Sequence, residues 1–599
     1  MPDSPDPIPN AFEDQRFRLR TADGEPVTRS FRELVTEPGD PAYALDYPQP
    51  FYDVAALNLL TFLAQWAFEP EDAAALAARL ARPMDDDEFE AGIAEHRAPF
   101  ALTGDGPRFM QAPGPGDPKK TKPVEDAVLI THAGDKSFLH RGDPDWAVAP
   151  DQAALFLFTR NTFYEGAGGG AGQYKKGTNG DTPVRSLATV PAGRSGLLHL
   201  RKSFWLNVLS RGRQQRDAGR YADLGGEGYD GLFWVNPPEE PEIPTGGLTL
   251  RAGLGWMTAY HWLWYEPLDA PAVCVVTGDP LPEGALAART LTKWGTRISY
   301  GTKSDQDADV RADRLFRHPN VPVRKTYDQK TGDITGREPF YVNRTWGLAE
   351  AVGASFFGGR GKGAPFEPAP AVEQLSDAPV WRQVRDLSPP GRLLVFGFHM
   401  LSKYKNVHGG VEQDATRFRP LVGETEGDTA FVNVEAATLM KEATQFAKTA
   451  AGDLQRAVQR ASGLGVRAEE DPSTGRITLK KDASTASVDD PFGDDALTAY
   501  WRDVGAALAD YAHQIAATAY ADADHADDGR LQEAKYELTA AWETTVTALV
   551  WRHFDPVYDD RVLDRRTMPY AAAARRMLAA SLKKHRTTEP TSAETTNAS

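Results

Sequence analysis

In the last third of this chain the apolar residues recur at helical spacing. Between Asp495 and Ala516, Leu497, Trp501, Val504, Leu508, Tyr511 and Ile515 follow one another at steps of four, three, four, three and four. That spacing puts all six on one stripe of a long helix, and a continuous apolar stripe has to be covered by other chain. Leu531, Leu538, Trp542, Val546 and Leu549 make a second stripe. Ala-rich Met568–Lys584, with Leu578 and Leu582, makes a third, and Val434 to Val458 an earlier one. Four such helices predict a C-terminal four-helix bundle over residues 426–586. The aromatic and leucine positions read as core of that bundle, not as a cofactor box. Gly463 to Asp490 is polar and reads as a loop or a short hairpin. Residues 587–599, rich in Thr, Ser, Ala and Glu, read as a disordered tail.

Residues 1–425 follow no single period. Short strand-like runs such as Phe17-Arg18-Leu19-Arg20 alternate with helical ones. Asp53 to Ala67 carries Leu57, Leu60 and Leu63 on one face, and Asp72 to Arg82 is Ala/Leu-rich. Residues 104–150, rich in Gly, Pro, Asp and Lys, read as long loops. Residues 197–210 read as a strand running into a buried helix, and 270–430 as short β-branched runs broken by Gly, Pro and Asp. The predicted class is therefore α+β: a large mixed α/β N-terminal body, 1–425, followed by the helical bundle.

Charge limits what the chain can bind. The 599 residues carry a formal net charge of −17, which excludes a generally basic nucleic-acid binder. The charge is uneven, however. Arg160 to Arg220 holds eleven Lys and Arg against Glu165, Asp181 and Asp217, and Arg289 to Lys325 holds nine against four acids. Two basic islands in an acidic chain point to local contact with a polyanion. Cys274 is the sole cysteine, so neither a disulfide framework nor a cysteine zinc cluster can form. A reducing, cytoplasmic location fits that usage. The N-terminus has no signal-peptide pattern, and no apolar run reaches membrane-spanning length.

The first basic island contains Tyr164-Glu165-Gly166-Ala167-Gly168-Gly169-Gly170-Ala171-Gly172-Gln173-Tyr174-Lys175-Lys176-Gly177. Glycine leaves bare backbone that can come close to a ligand and offer N–H groups to phosphate. Lys175 and Lys176 add positive charge beside it. The run is not a nucleotide P-loop, because Lys176 is followed by Gly177 and not by Ser or Thr. Gly166, Gly168 and Ala171 fit only a loose dinucleotide fingerprint, with no clear helix behind it. The bland reading is a flexible surface loop. No other catalytic signature stands out. The histidine pairs His132/His140 and His399/His408 lack metal-ligand spacing, no nucleophile elbow occurs, and no paired-carboxylate motif is recognisable. The residues name no catalytic group, no metal site and no cofactor.

Several segments, in order, resemble the large subunit of the type I-E CRISPR Cascade surveillance complex, the CasA family. They are Pro107-Arg108-Phe109-Met110-Gln111, Asp135-Lys136-Ser137-Phe138-Leu139-His140, Gly180-Asp181-Thr182-Pro183-Val184, Leu206-Asn207-Val208-Leu209, Phe233-Trp234-Val235-Asn236-Pro237, Gly253-Leu254-Gly255-Trp256 and Phe316-Arg317-His318-Pro319. The resemblance spans roughly residues 10–585. It implies a non-catalytic subunit that recognises the protospacer-adjacent motif on double-stranded DNA from the minor-groove side and opens the duplex. It also implies partners: the crRNA-containing Cascade subunits and a helicase–nuclease effector. The implied DNA contacts are Gly168, Gly169, Gly170, Gly172, Gln173, Lys175 and Lys176 in the glycine run, together with Lys303. The wedge segment after Gly397-Phe398 adds Ser402, Lys403 and Tyr404, with Ser402 or Lys403 standing where some relatives have glutamine. Phe138 and His140 are implied to face the guide-RNA end of the complex. Some relatives carry a cysteine zinc module, which a single cysteine cannot build. The alternative is a cytosolic enzyme that holds a small anionic substrate on the glycine run.

Overall fold

The computed structural model describes residues 9–113, 118–125, 145–163, 182–193, 196–220, 228–237, 242–243, 248–257, 259–297, 299–300, 317–328, 330–331, 334–340, 351, 366–384, 387, 391–400, 409–417, 434–464, 466–474, 477–481, 491–519 and 528–586. The chain packs as two units, Met1–Val342 with Phe366–Phe431, and Asn343–Pro365 with Val432–Ser599. The expected tail, 587–599, lies outside the described residues.

The first unit is built around helix α1, Pro50–Ala67, which has proline in its first turn, where a missing N–H costs nothing. Its sequence predicts a one-sided leucine face. In the structure nearly the whole circumference is buried, from Val54 to Ala64, including Asn58, Thr61 and Gln65. Burial of those polar groups requires partners. Thr61 Oγ1 donates to the Leu57 carbonyl at 2.9 Å. Gln65 Nε2 donates to the Leu209 carbonyl at 2.9 Å, and its Oε1 accepts from Leu209 N at 2.7 Å. Phe62 of α1 joins Phe100, Phe109, Phe158 and Trp234 in an aromatic core. Helix α2, Ala153–Phe158, is entirely buried, and helix α3, Leu200–Trp205, packs beside α1.

Small sheets surround this core. Phe17–Thr21 lies between Pro26–Arg29 and Ala42–Leu45, with Leu198–His199 at the far edge. Thr182–Thr189 pairs antiparallel with Arg392–Met400, which pairs with Gly409–Arg417. Residues 104–150, expected as loops, contain the strands Pro118–Pro123 and Trp146–Ala147. The first of these has the sequence PKKTKP, with almost no intrinsic strand preference. Pairing with Leu286–Arg297 makes it a strand, so tertiary contact overrides propensity.

The second unit is helical. Helices α4 (Val434–Ala461), α5 (Pro491–Ala519), α6 (Asp528–Val562) and α7 (Met568–His585) form the bundle, with α4 touching the other three. Every residue of the α5 and α6 stripes read from the sequence is buried. On α4 the buried face is largely alanine, Ala436, Ala443, Ala447, Ala450, Ala451, Ala457 and Ala461, which lets its neighbours come close. The polar ends of the core aromatics are satisfied there. Tyr500 Oη donates to the Ala447 carbonyl at 3.0 Å and Trp542 Nε1 to the Ala443 carbonyl at 2.8 Å. Within 463–490 the described residues form a hairpin, Val466–Glu470 against Ile477–Lys481.

Candidate nucleic-acid interface

The glycine run 164–181, the 401–408 segment, Lys303 and the 126–144 stretch with Phe138 and His140 all lie outside the described residues. The structure does describe the stems that bracket them. The run follows a wide π-helical turn, Thr159–Phe163, and ends at the strand Thr182–Thr189. Arg185 of that strand is 1% exposed. Its guanidinium donates to the Thr162 and Pro183 carbonyls, both at 3.2 Å, so it clasps the chain entering the run to the chain leaving it. The signal in the sequence is an arginine set in the otherwise neutral strand TPVRSLAT.

The strand's two edges are filled differently. One edge pairs with Arg392–Met400, and Thr182 stands opposite Phe398. In the adjoining hairpin Met400 stands opposite Gly409. The exit of the glycine run and the two ends of the 401–408 segment therefore sit at one end of one sheet.

The other edge meets no strand. Its alternate N–H groups instead find four separate acceptors. Val184 N donates to the Phe340 carbonyl at 2.8 Å and Ser186 N to the Asn320 carbonyl at 2.7 Å. Ala188 N donates to Asn207 Oδ1 at 2.9 Å and Val190 N to Ser203 Oγ at 2.9 Å. Asn207 Nδ2 also returns a hydrogen bond to the Ala188 carbonyl at 2.8 Å. Its side-chain amide thus imitates a neighbouring strand at that residue.

The family-like segments prove to be framework around this strand. In Leu206-Asn207-Val208-Leu209 the buried backbone is satisfied by Gln65 at Leu209 and by Gln374, which donates to the Val208 carbonyl at 2.7 Å and accepts from Ser210 N at 2.8 Å. The 301–316 segment, which holds Lys303, leads into Arg317-His318-Pro319-Asn320. Arg317 forms a buried ion pair with Asp217, and Asn320 carries the acceptor for Ser186. At Gly253 a Cβ would lie 1.9 Å from the Arg317 carbonyl oxygen, so glycine is required for this approach. Residues 126–144 are anchored elsewhere, between Val124, whose N–H bonds the Arg289 carbonyl at 3.0 Å, and Asp145, whose carbonyl accepts from Val273 N at 2.8 Å.

Carboxyl groups are also perturbed. Burial, reinforced by nearby Asp46, pushes Asp53 up to about 7, against the opposing hydrogen bond from Tyr47 N. Burial likewise raises Asp151. Neither lines the cavity of about 750 Å³ in the second unit, whose walls include Phe446, Tyr511, Lys535, Trp542 and Glu543. Among the described residues no group of three or more His, Cys, Asp and Glu could hold a metal ion. Among them, too, no helix is long and apolar enough to cross a membrane.

Comparison with known proteins adds a family and a fold. The family model for CRISPR-associated protein Cse1 matches residues 18–553. The crystal structure of CRISPR-associated protein Cse1 from Acidimicrobium ferrooxidans is similar with a TM-score of 0.56 at 17% identity, over 97% of this chain and 99% of that one. The structure of Thermus thermophilus CasA (Cse1) has a TM-score of 0.59 at 13% identity, covering 96% and 100%. A chain of a CRISPR RNA-guided surveillance complex has a TM-score of 0.53 at 14% identity, covering 96% and 100%. At these identities the likeness establishes a shared fold.

Proposed function

This chain belongs to the CRISPR-associated Cse1 family, and we propose that it acts as a non-catalytic subunit of a crRNA-guided, cytoplasmic surveillance complex. In this reading it recognises a short flanking motif on double-stranded target DNA, promotes opening of the duplex and presents the opened target to a helicase–nuclease. Guide pairing supplies most of the sequence specificity, and the protein reads only the flank and the shape of the duplex. Glycine backbone from the 164–181 run enters a narrow minor groove where side chains would clash. Lys175 and Lys176 hold phosphate, which adds affinity without sequence information. The minor groove distinguishes base pairs poorly, so a loose motif preference follows.

Beyond family membership, the observation that supports the reading is the pairing of Thr182 with Phe398. It sets the stem of a glycine-and-lysine run beside the stem of a candidate wedge, Ser402, Lys403 and Tyr404. Reading a flank and opening the adjacent base pairs require two such elements within a few base pairs of each other. The test is a gel shift of guide-loaded complex, with and without this chain, on matched duplexes with varied flanking trinucleotides. Tight binding is expected to need both the chain and a particular flank. Substituting Lys175 and Lys176 by Ala should weaken that binding and flatten its salt dependence, by about 0.9 in log–log slope per lost phosphate contact. Binding indifferent to the chain would remove it from motif recognition.

A further inference from the structure

The second basic island lies largely in a different sheet. Pro118–Pro123 and Ala259–Pro267 flank Leu286–Arg297. In these three strands Lys119, Lys120, Lys122, Arg289, Lys293 and Arg297 stand against the single acid Glu266, in a chain of net charge −17. Arg289 is paired with Asp269 at 2.6 Å; the sheet remains basic without it.

Strand alternation places Trp262 and Trp264 on one face, opposite Thr292 and Thr290, with Thr121 and Pro123 beyond them. Trp264 is 53% exposed, unusual for the largest apolar side chain. It is also held in place. Its Nε1 donates to Thr292 Oγ1 at 2.7 Å, and Thr292 Oγ1 is hydrogen-bonded to Thr121 Oγ1 at 2.8 Å. Beside it the Arg108 guanidinium lies 3.9 Å from the centre of the Trp262 ring, steered by a bond to the Leu263 carbonyl at 3.2 Å. The face thus offers a fixed exposed indole, a stacked planar cation, small hydroxyls and a lysine-bearing edge strand.

We propose that this face is a stacking platform for single-stranded nucleic acid, with a base on Trp264 and the backbone running past Arg108 and Lys122. An unpaired base has a free π-face to lay on a flat sheet, whereas a base inside a duplex does not. Because the indole is already fixed, little side-chain entropy is lost on stacking. Basic charge favours a polyanion over a protein patch, which would be expected to be more apolar. The two single strands available beside an opened target are RNA and displaced DNA, and both present the same chemistry.

The experiment is fluorescence anisotropy of the full chain with labelled oligothymidylate and, separately, labelled oligouridylate. Trp264→Ala should weaken binding by roughly five- to hundredfold, the range for removing one stacking residue, with an unchanged melting curve. Trp264→Phe should restore most of the loss. Lys122→Ala should reduce the log–log salt slope by about 0.7 if one phosphate contact is removed. Tighter DNA binding assigns the platform to a displaced strand, and tighter RNA binding to the guide. A Trp264→Ala chain that binds both oligonucleotides like wild type overturns the proposal. So does one that keeps oligonucleotide binding but no longer enters the guide-loaded complex, since the face is then a protein-docking surface. The oligonucleotides carry no duplex flank, so this outcome is independent of motif recognition.

Discussion

Replacing Asn207 by Leu is expected to loosen the strand on which the glycine run is mounted, without touching the run itself. Asn207 accepts from Ala188 N at 2.9 Å, donates to the Ala188 carbonyl at 2.8 Å and to the Ser203 carbonyl at 2.8 Å, and accepts from Asn320 Nδ2 at 3.1 Å. Leucine fills a similar volume and makes none of these bonds. Ala188 is 1% exposed, so water cannot readily take over. Stranding a buried donor or acceptor costs about 1–3 kcal/mol. With the Ala188 N–H and C=O both affected, and some relaxation, the loss comes to about 2–5 kcal/mol. A chain of two units has no single unfolding free energy, so the readout must be local. Hydrogen exchange followed by mass spectrometry on peptides covering 182–190 should show protection falling about thirtyfold or more, at 1.4 kcal/mol per factor of ten. Peptides from the helical bundle provide the internal reference and should not change. Ser203→Ala, which removes the bond to Val190 N at 2.9 Å, should cost only about 1–2 kcal/mol. Equal effects from the two substitutions, or an equal loss of protection in the bundle, would refute the view that the Asn207 amide serves as a surrogate strand.

Two further outcomes are expected. Asp53, raised to about 7 by burial, favours its protonated form in the folded chain, so its contribution turns unfavourable as pH rises from the ordinary carboxyl range through 7. Asp53→Asn keeps an acceptor for Tyr47 N and should raise the melting temperature at pH 8 more than at pH 5, by a contribution of at most about 4 kcal/mol; equal shifts at both pH values would contradict the raised pKa. Gly253→Ala forces a methyl to within 1.9 Å of the Arg317 carbonyl oxygen and must displace backbone. It should lower stability by about 1–3 kcal/mol or more, seen as a lower melting temperature of the full chain, whereas an unchanged melting temperature would show that the segment after Lys303 can yield.

The bundle was legible from the sequence because its rule is local. The steps from Leu497 to Ile515 are helical steps, and burial of a continuous stripe follows from water whatever the partner. Absence of a cysteine cluster, the two basic islands and the order of the family-like segments could likewise be read residue by residue. The sequence did not tell which of those segments were framework. Asn207 and Gln374 are ordinary amides until the fold brings Ala188, Val208 and Ser210 to them, across separations of up to 166 residues. PKKTKP has the composition of a loop and becomes a strand only against Leu286–Arg297. Trp264 reads as one more core aromatic until strand alternation turns it outward. Periodicity fixes which residues must leave water, but hydrogen-bond partners distant in sequence are chosen only when the whole chain has packed, and that choice mounts the candidate DNA-contacting segments 164–181 and 401–408 on one sheet.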